Sequence, residues 1–271
     1  SKKVVTIAQR RAVVAELQEV HQLSERTSCE LVDLHRSVSR YVPQRSDPPE
    51  LIARILAIAA ERPRFGYRRI HRMLVREDIK INRKRLLRIY QDLHLQVRRK
   101  KRKQAARASR LPKLTPTLVN EGWSMDFMSD TLVNGRSLRL FNVVDDCSRE
   151  AVVMEVGHSM PAAVVIRALE RAIEERGCPA WLTCDNGPEF TSNALDAWAY
   201  ERGIERRFIR PGKPQENAYV ESFNARMRDE LLNQHSFRDL DEARALAEDW
   251  QADYNCVRPH GSLEDLTPSE F

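Results

Sequence analysis

Two periods divide the chain. Up to about residue 95 the apolar positions recur near every 3.6 residues, the spacing of one helix face. Residues 4–23, VVTIAQRRAVVAELQEVHQL, keep that period, and Ser24 stands where an N-cap would open a further helix over roughly ERTSCELVDL. PQRSDPPE, residues 43–50, interrupts the pattern with prolines and polar side chains and predicts a linker. Three more helices are predicted beyond it. ELIARILAIAAER is amphipathic and stops before Pro63; GYRRIHRMLVRE follows; INRKRLLRIYQDLHL has Asn82 as its candidate cap. From residue 122 the period drops to two. WSMDFMSD puts Trp123, Met125 and Phe127 on one face and Ser124, Asp126 and Met128 on the other. VNGR, 133–136, is a hairpin signal, with Asn134-Gly135 suited to positive φ. LRLFNVVDD and EAVVMEVG read as the next two strands, and PAAVVIRALERAIEERG as a helix closed by Gly177. AWLTCD is a buried strand, NALDAWAYERG a helix, IERRFI a strand and RPGKPQ a loop, before long helices over 217–232 and 240–255. The order βββαβαβαα predicts a mixed α/β domain behind an all-helical region.

Charge follows the same division. Residues 1–115 hold 29 Lys and Arg against 11 Asp and Glu, a surplus of 18 positive charges; residues 116–271 hold 16 against 28, a surplus of 12 negative charges. A basic half joined to an acidic half suggests two jobs, the first of them on a polyanion. In the third helix after the linker, Leu86, Ile89, Tyr90 and Leu93 share one side, and Lys84, Arg85 and Arg88 fall opposite, with Arg83 at its start. Three short helices ending in a basic outer face are what a helix-turn-helix offers the major groove; a solvated helix on a small bundle is the plain alternative. VRRKKRKQAARASR, residues 97–110, carries eight basic residues and no acid, and it cannot bury a core. Arg98, Arg99, Lys100, Lys101, Arg102 and Lys103 in it can each neutralise a phosphate, or the stretch is a solvated tether.

Several classes of chemistry find no footing. Five scattered cysteines form no C-x-x-C pair, so neither a disulfide framework nor a zinc ribbon is indicated, and a reducing cytoplasm is the expected home. The sequence has no apolar run long enough for a membrane span and no apolar secretory core at its start. Walker and G-x-S-x-G motifs are absent. What remains is a set of acids. Asp126 lies within the first strand, Asp185 directly after a later strand on the turn DNG, and Glu221 opens the helix NAYVESFNARMRDELL, with 35 residues between it and Asp185. Val220, Phe223, Met227 and Leu231 form that helix's apolar stripe, and Glu221 projects about 100° from it, an edge position able to aim at a strand end. Three carboxylates brought together would repel unless a cation joined them, and magnesium is the hard, oxygen-seeking candidate. Two such ions would serve both the attacking and the leaving oxygen of an in-line phosphoryl displacement. Taken singly, each acid reads as ordinary solvated structure.

WSMDF, NVVDD, DNGPEFTS, RPGKPQENAYVESFN and DYNCVRPHGSL…LTPSEF closely resemble the orfB-type transposases of the IS-three family of bacterial insertion sequences, relatives of retroviral integrases. RPRFGYRRIHRMLVRE…INRKRLLRIY resembles that family's helix-turn-helix region. The resemblance implies a ribonuclease H-like catalytic fold and Mg²⁺-dependent DNA cleavage and strand transfer, with two Mg²⁺ (or Mn²⁺) held by a catalytic Asp126, Asp185 and Glu221. It implies DNA contacts from Asn186, from Lys213 and Gln215 in the loop PGKPQE, and from Asn224 and Arg228 on the face of Glu221, with Arg228 equally readable as an ordinary helix-surface arginine. Arg258, in the family-like YNCVRPHGSL, either binds phosphate or belongs to a segment that docks the last helix. The expected division is an N-terminal helical, helix-turn-helix-like domain (1–45), a second helix-turn-helix (46–96), a basic linker (97–118) and the catalytic domain (119–271). Expected partners are double-stranded DNA, as transposon ends and target, and further copies of the chain, at least a dimer on DNA in the bacterial nucleoid. The family's upstream reading frame usually supplies another helix-turn-helix and a leucine zipper. No sustained heptad run occurs here, so its product is a further expected partner unless this element needs none. Two rivals stay open: a metal-dependent nuclease that hydrolyses without joining, and a non-catalytic DNA-binding regulator.

Overall fold

A computed structural model describes residues 6–41, 47–97, 116–187, 189–210 and 214–271, without the side chains of 214 and 215. These form two compact units, 1–53 and 54–271. The first holds α1 (Ile7–Glu19), α2 (Glu25–Leu31) and α3 (Arg36–Arg40) around buried Val14, Cys29 and Leu34. Thr6 and Gln9 close a reciprocal capping box on α1, and Ser24 caps α2 by accepting from the Thr27 amide.

The second unit opens within α4 (Pro49–Glu61) and continues with α5 (Tyr67–Arg76) and α6 (Arg83–Asp92). Ile55, Ile58, Ile70, Leu74, Leu86 and Ile89 are buried, as the helical spacing requires. Asn82 accepts from the Lys84 amide and so caps α6. After the linker come β1 (Gly122–Thr131), β2 (Ser137–Asp145), β3 (Ala151–Gly157), α7 (Ala162–Arg176), β4 (Trp181–Cys184), α8 (Asn193–Glu201), β5 (Glu205–Phe208), α9 (Ala218–Met227) and α10 (Leu240–Cys256). The chain order is the one predicted. The strands form one sheet in the order β3-β2-β1-β4-β5, antiparallel between the first three and parallel from β1 to β5.

Each face of the sheet buries one cluster. Trp123, Met125, Phe141, Val143 and Leu182 pack with residues of α7 and α8; Met128, Leu140 and Val144 pack with residues of α9 and α10. The two-residue period of β1 therefore assigns Trp123 and Met125 to one cluster and Asp126 to the face of α9. Gly122 is required by close approach: a Cβ there would stand 2.2 Å from the Trp181 ring. At the hairpin only Gly135 takes positive φ, at 81°; Asn134 instead accepts from the Arg136 amide.

The last predicted helix of the acidic set is not continuous. α9 gives way to a π-helical turn over Arg228–Leu232, whose wider turn directs Asp229 and Glu230 toward the helix-turn-helix while Leu231 and Leu232 stay buried. There the arginines of the basic half meet the acidic half. Arg62 pairs bidentately with Asp253, Arg64 with Asp229, Arg69 with Glu230, Arg72 with Asp265 and Arg76 with Glu270. The basic surplus predicts a surface facing a polyanion, yet part of it is neutralised inside the molecule.

Candidate active site

β1 and β4 pair in parallel with Trp123 opposite Leu182 and Ser124 opposite Thr183. Continued two residues, that register runs toward Asp126 on β1 and Asp185 just past the end of β4, and the Asp185 charge acts on the Asp126 carboxyl. On its other side Asp126 is paired with Asn142 of β2. Asn224 of α9 closes this row: its Nδ2 donates to Asp126 Oδ2 at 2.7 Å, and its Oδ1 accepts from Asn142 Nδ2 at 2.8 Å. Glu221 lies three residues before Asn224 on α9, close to one turn away, at the edge of the buried stripe. Asn217 pins the start of that helix by donating to the Met125 carbonyl at 3.2 Å.

The Asp126 carboxyl feels the charge of both other acids. Burial first, then the charges of Asp185 and Glu221, push the Asp126 carboxyl up to about 6, against the pull of the Phe127 amide and Asn224. Among the described residues no group of three or more His, Cys, Asp or Glu side chains is gathered tightly enough to hold one ion as it stands. As donors the carboxylates fit a hard divalent cation, because their mutual repulsion is what a cation would remove.

The turn after β4 is anchored on both sides. Asp185 Oδ1 accepts from the Gly187 amide at 2.8 Å, and a Cβ on Gly187 would stand 2.9 Å from that oxygen. Phe190 is buried and stacks on Phe127 at 4.7 Å between centroids. Arg139 of β2 donates to Glu189 at 2.7 Å. Arg139, Asn142, Phe190 and Asn217 escaped the sequence reading. Strand alternation could have found Asn142, which is the cross-strand partner of Asp126; no local pattern marks Arg139.

The remaining candidates scatter. Arg83, Lys84, Arg85 and Arg88 are exposed on α6. Arg98, Arg99, Lys100, Lys101, Arg102, Lys103 and Lys213, and the side chain of Gln215, lie outside the described residues. Asn186 is exposed and donates to the Ile209 carbonyl at 2.7 Å. Arg228 donates to the Ser129 carbonyl at 2.8 Å beside Asp130 at 3.6 Å, so it braces the end of β1 while staying partly open to solvent. Two expectations need correction. Asn224 is 7% exposed, and both ends of its amide are occupied, so it orients Asp126 and does not reach a DNA backbone. Arg258 is 1% exposed and grips Glu230 bidentately at 2.7 and 2.8 Å, so its guanidinium is not presented to a phosphate.

Comparison with known proteins decides the family. Two models described as "Integrase core domain" match residues 116–214 and 202–268, and one described as "HTH-like domain" matches 47–103. The 31.7 kDa protein of insertion element IS407 from Burkholderia multivorans is 46% identical over 94% of this chain and 92% of its own length. This chain belongs to the insertion-element transposases with an integrase core. The transposase InsD of insertion element IS2 from Escherichia coli is 28% identical over 84% of this chain and 80% of its own length. The fold is shared more widely. A chain of the simian T-cell lymphotropic virus intasome, in complex with PP2A regulatory subunit B56 gamma, superposes with a TM-score of 0.52 at 17% identity, over 80% of this chain and 73% of that one. The transposase is thus a DDE-type enzyme by family, with a mixed sheet flanked by helices as its integrase-type core. Among the described residues no helix is long and apolar enough to cross a membrane.

Proposed function

We propose that this transposase binds the terminal inverted repeats of its element, cuts a 3′ end and joins it to a target phosphodiester, with Asp126, Asp185 and Glu221 as the catalytic and metal-holding set. The reading is supported by the parallel β1–β4 register, which runs on toward Asp126 and Asp185, together with the charge that Asp185 and Glu221 impose on Asp126. The three carboxylates would hold two Mg²⁺, which supply charge stabilisation for the attacking and departing oxygens of phosphoryl transfer. The chain's own part is positional. Asn224 and the Phe127 amide fix the rotamer of Asp126, and the Gly187 amide fixes Asp185. Phe190 and Arg139 hold the loop that follows, so Asp126 and Asp185 are borne by the central β1 and the end of its neighbour β4, with Glu221 on α9.

In this reading residues 46–96 read the transposon end through the outer face of α6, residues 97–118 follow the phosphate backbone and residues 119–271 carry out the chemistry. Two ends have to meet, so the working form is at least a dimer on DNA, in the bacterial cytoplasm and on the nucleoid. The upstream-frame product of the same element is a further partner if end recognition requires it. Glu221→Gln or Asp185→Asn should abolish strand transfer in Mg²⁺ while end binding survives. The assay offers a labelled 3′-OH end and a plasmid target, and joined product at the wild-type rate from Glu221→Gln would overturn the assignment. Cleavage without any joined product would favour a hydrolytic nuclease.

A further inference from the structure

Five arginines of the helix-turn-helix point inward to carboxylates of the C-terminal third, while Arg83, Lys84, Arg85 and Arg88 lie exposed on α6. The centre of this seam is built from the sequence YNCVRPH. Arg258 and Arg69 share one carboxylate, Glu230, and the ring of buried Phe65 lies among Arg62 at 5.2 Å, Arg69 at 5.1 Å and Arg258 at 6.0 Å. Tyr254 backs the arrangement: Arg258 lies 5.5 Å from its ring, and His260 meets that ring edge-on at 4.6 Å. Burial works against the Glu230 charge, but Arg258 and then Arg69 hold its carboxyl below the usual range. Burial, followed by the like charge of Arg258, pushes His260 down to about 3, so the imidazole stays neutral. A surface made for DNA would leave its guanidiniums exposed. These are engaged in partly desolvated pairs, and the bidentate Arg62–Asp253 and Arg258–Glu230 pairs fix direction as well as distance.

We propose that this seam is a fixed joint that sets the helix-turn-helix at one orientation to the catalytic domain, with Arg258 and Glu230 as positioning residues for the cut. The inference rests on the catalytic reading above for its consequence, though not for its geometry. A reader helix held rigidly to the sheet makes the distance from the bound end to the three carboxylates a property of the protein. A loose joint would let the cut wander, because an ångström of misplacement costs up to about 100-fold in rate.

The test uses the full chain with spin labels on α6 and α8 and pulsed dipolar distance measurement. The variants are Glu230→Gln, Arg76→Glu and the charge-swapped pair Arg76→Glu with Glu270→Arg. The wild type should give one narrow distance; Glu230→Gln and Arg76→Glu should broaden it, and the swapped pair should restore it. On a duplex ending in the element's own repeat, the broadened variants should bind within about two-fold of wild type, cut about 10-fold or more slowly, and spread the cut over neighbouring bonds. A broad wild-type distance, unchanged distances in both single variants, or an unaltered cut from an opened joint would each overturn the proposal. If Glu230→Gln fails to fold, the Arg76 series at the exposed end of the seam decides alone. A wild-type chain that keeps the narrow distance but cuts nothing refutes the catalytic reading, and the joint is then judged on the distances.

Discussion

Replacing Asp126 with Asn should make the metal-free protein more stable and catalytically dead. In the folded chain the Asp126 carboxyl is pushed from 3.8 up to about 6, chiefly by burial, with the charges of Asp185 and Glu221 adding to it. The shift corresponds to about 3 kcal/mol favouring the neutral form. Because the folded value lies above the unfolded one, that stability is fully present below about pH 3.8 and is lost as pH rises through 6. At pH 8 the wild type therefore carries a costly carboxylate that the isosteric amide lacks. The amide has its own cost. Its oxygen can keep the Phe127 amide, but its NH₂ would face the Asn224 NH₂, whose flip is opposed by Asn142. One lost hydrogen bond removes about 1 kcal/mol, leaving a net gain of about 1–2 kcal/mol. Thermal unfolding in EDTA at pH 8 should show Asp126→Asn melting roughly 2–6 °C above wild type, and the advantage should vanish near pH 4. Added Mg²⁺ should close the gap at pH 8 by stabilising the wild type alone. An Asp126→Asn protein that melts at or below the wild type at pH 8 without metal would refute the claim that burial and the neighbouring acids make the Asp126 carboxylate costly.

Other substitutions probe separate parts of the molecule. Gly187→Ala places a Cβ 2.9 Å from Asp185 Oδ1, so joined product should fall at least 10-fold while the melting temperature moves little; retained activity would show that this oxygen does not need its place. Arg258→Ala leaves Glu230 short of its main buried partner and should cost about 3–5 kcal/mol in denaturant unfolding, with Arg258→Lys recovering part of it. Lys84→Ala and Arg85→Ala on the outer face of α6 should weaken end binding and flatten its salt dependence by about 0.9 in log–log slope for each phosphate no longer neutralised; an unchanged slope would remove α6 from the interface.

Much of this protein is local, and local physics is written along the chain. The period change at residue 122, the caps at Ser24, Asn82 and Gly177, and the strand–helix order all depend on residues within a few positions of one another. The alternation in WSMDF also places Asp126 on the face away from Trp123 and Met125. How far the acids converge depends on what local pattern does not carry: the parallel register of β1 with β4, 59 positions apart at Ser124 and Thr183, and the packing of α9 over β1. Charge misled for the same reason. A sequence gives the sign of each side chain but not its partner, so the basic half reads as suited to a polyanion until tertiary contacts show Arg62, Arg69 and Arg76 paired with acids more than 150 residues away. Arg258 was the extreme case, because an arginine in a polar motif resembles a phosphate ligand and only its burial against Glu230 and Phe65 shows that it joins protein to protein.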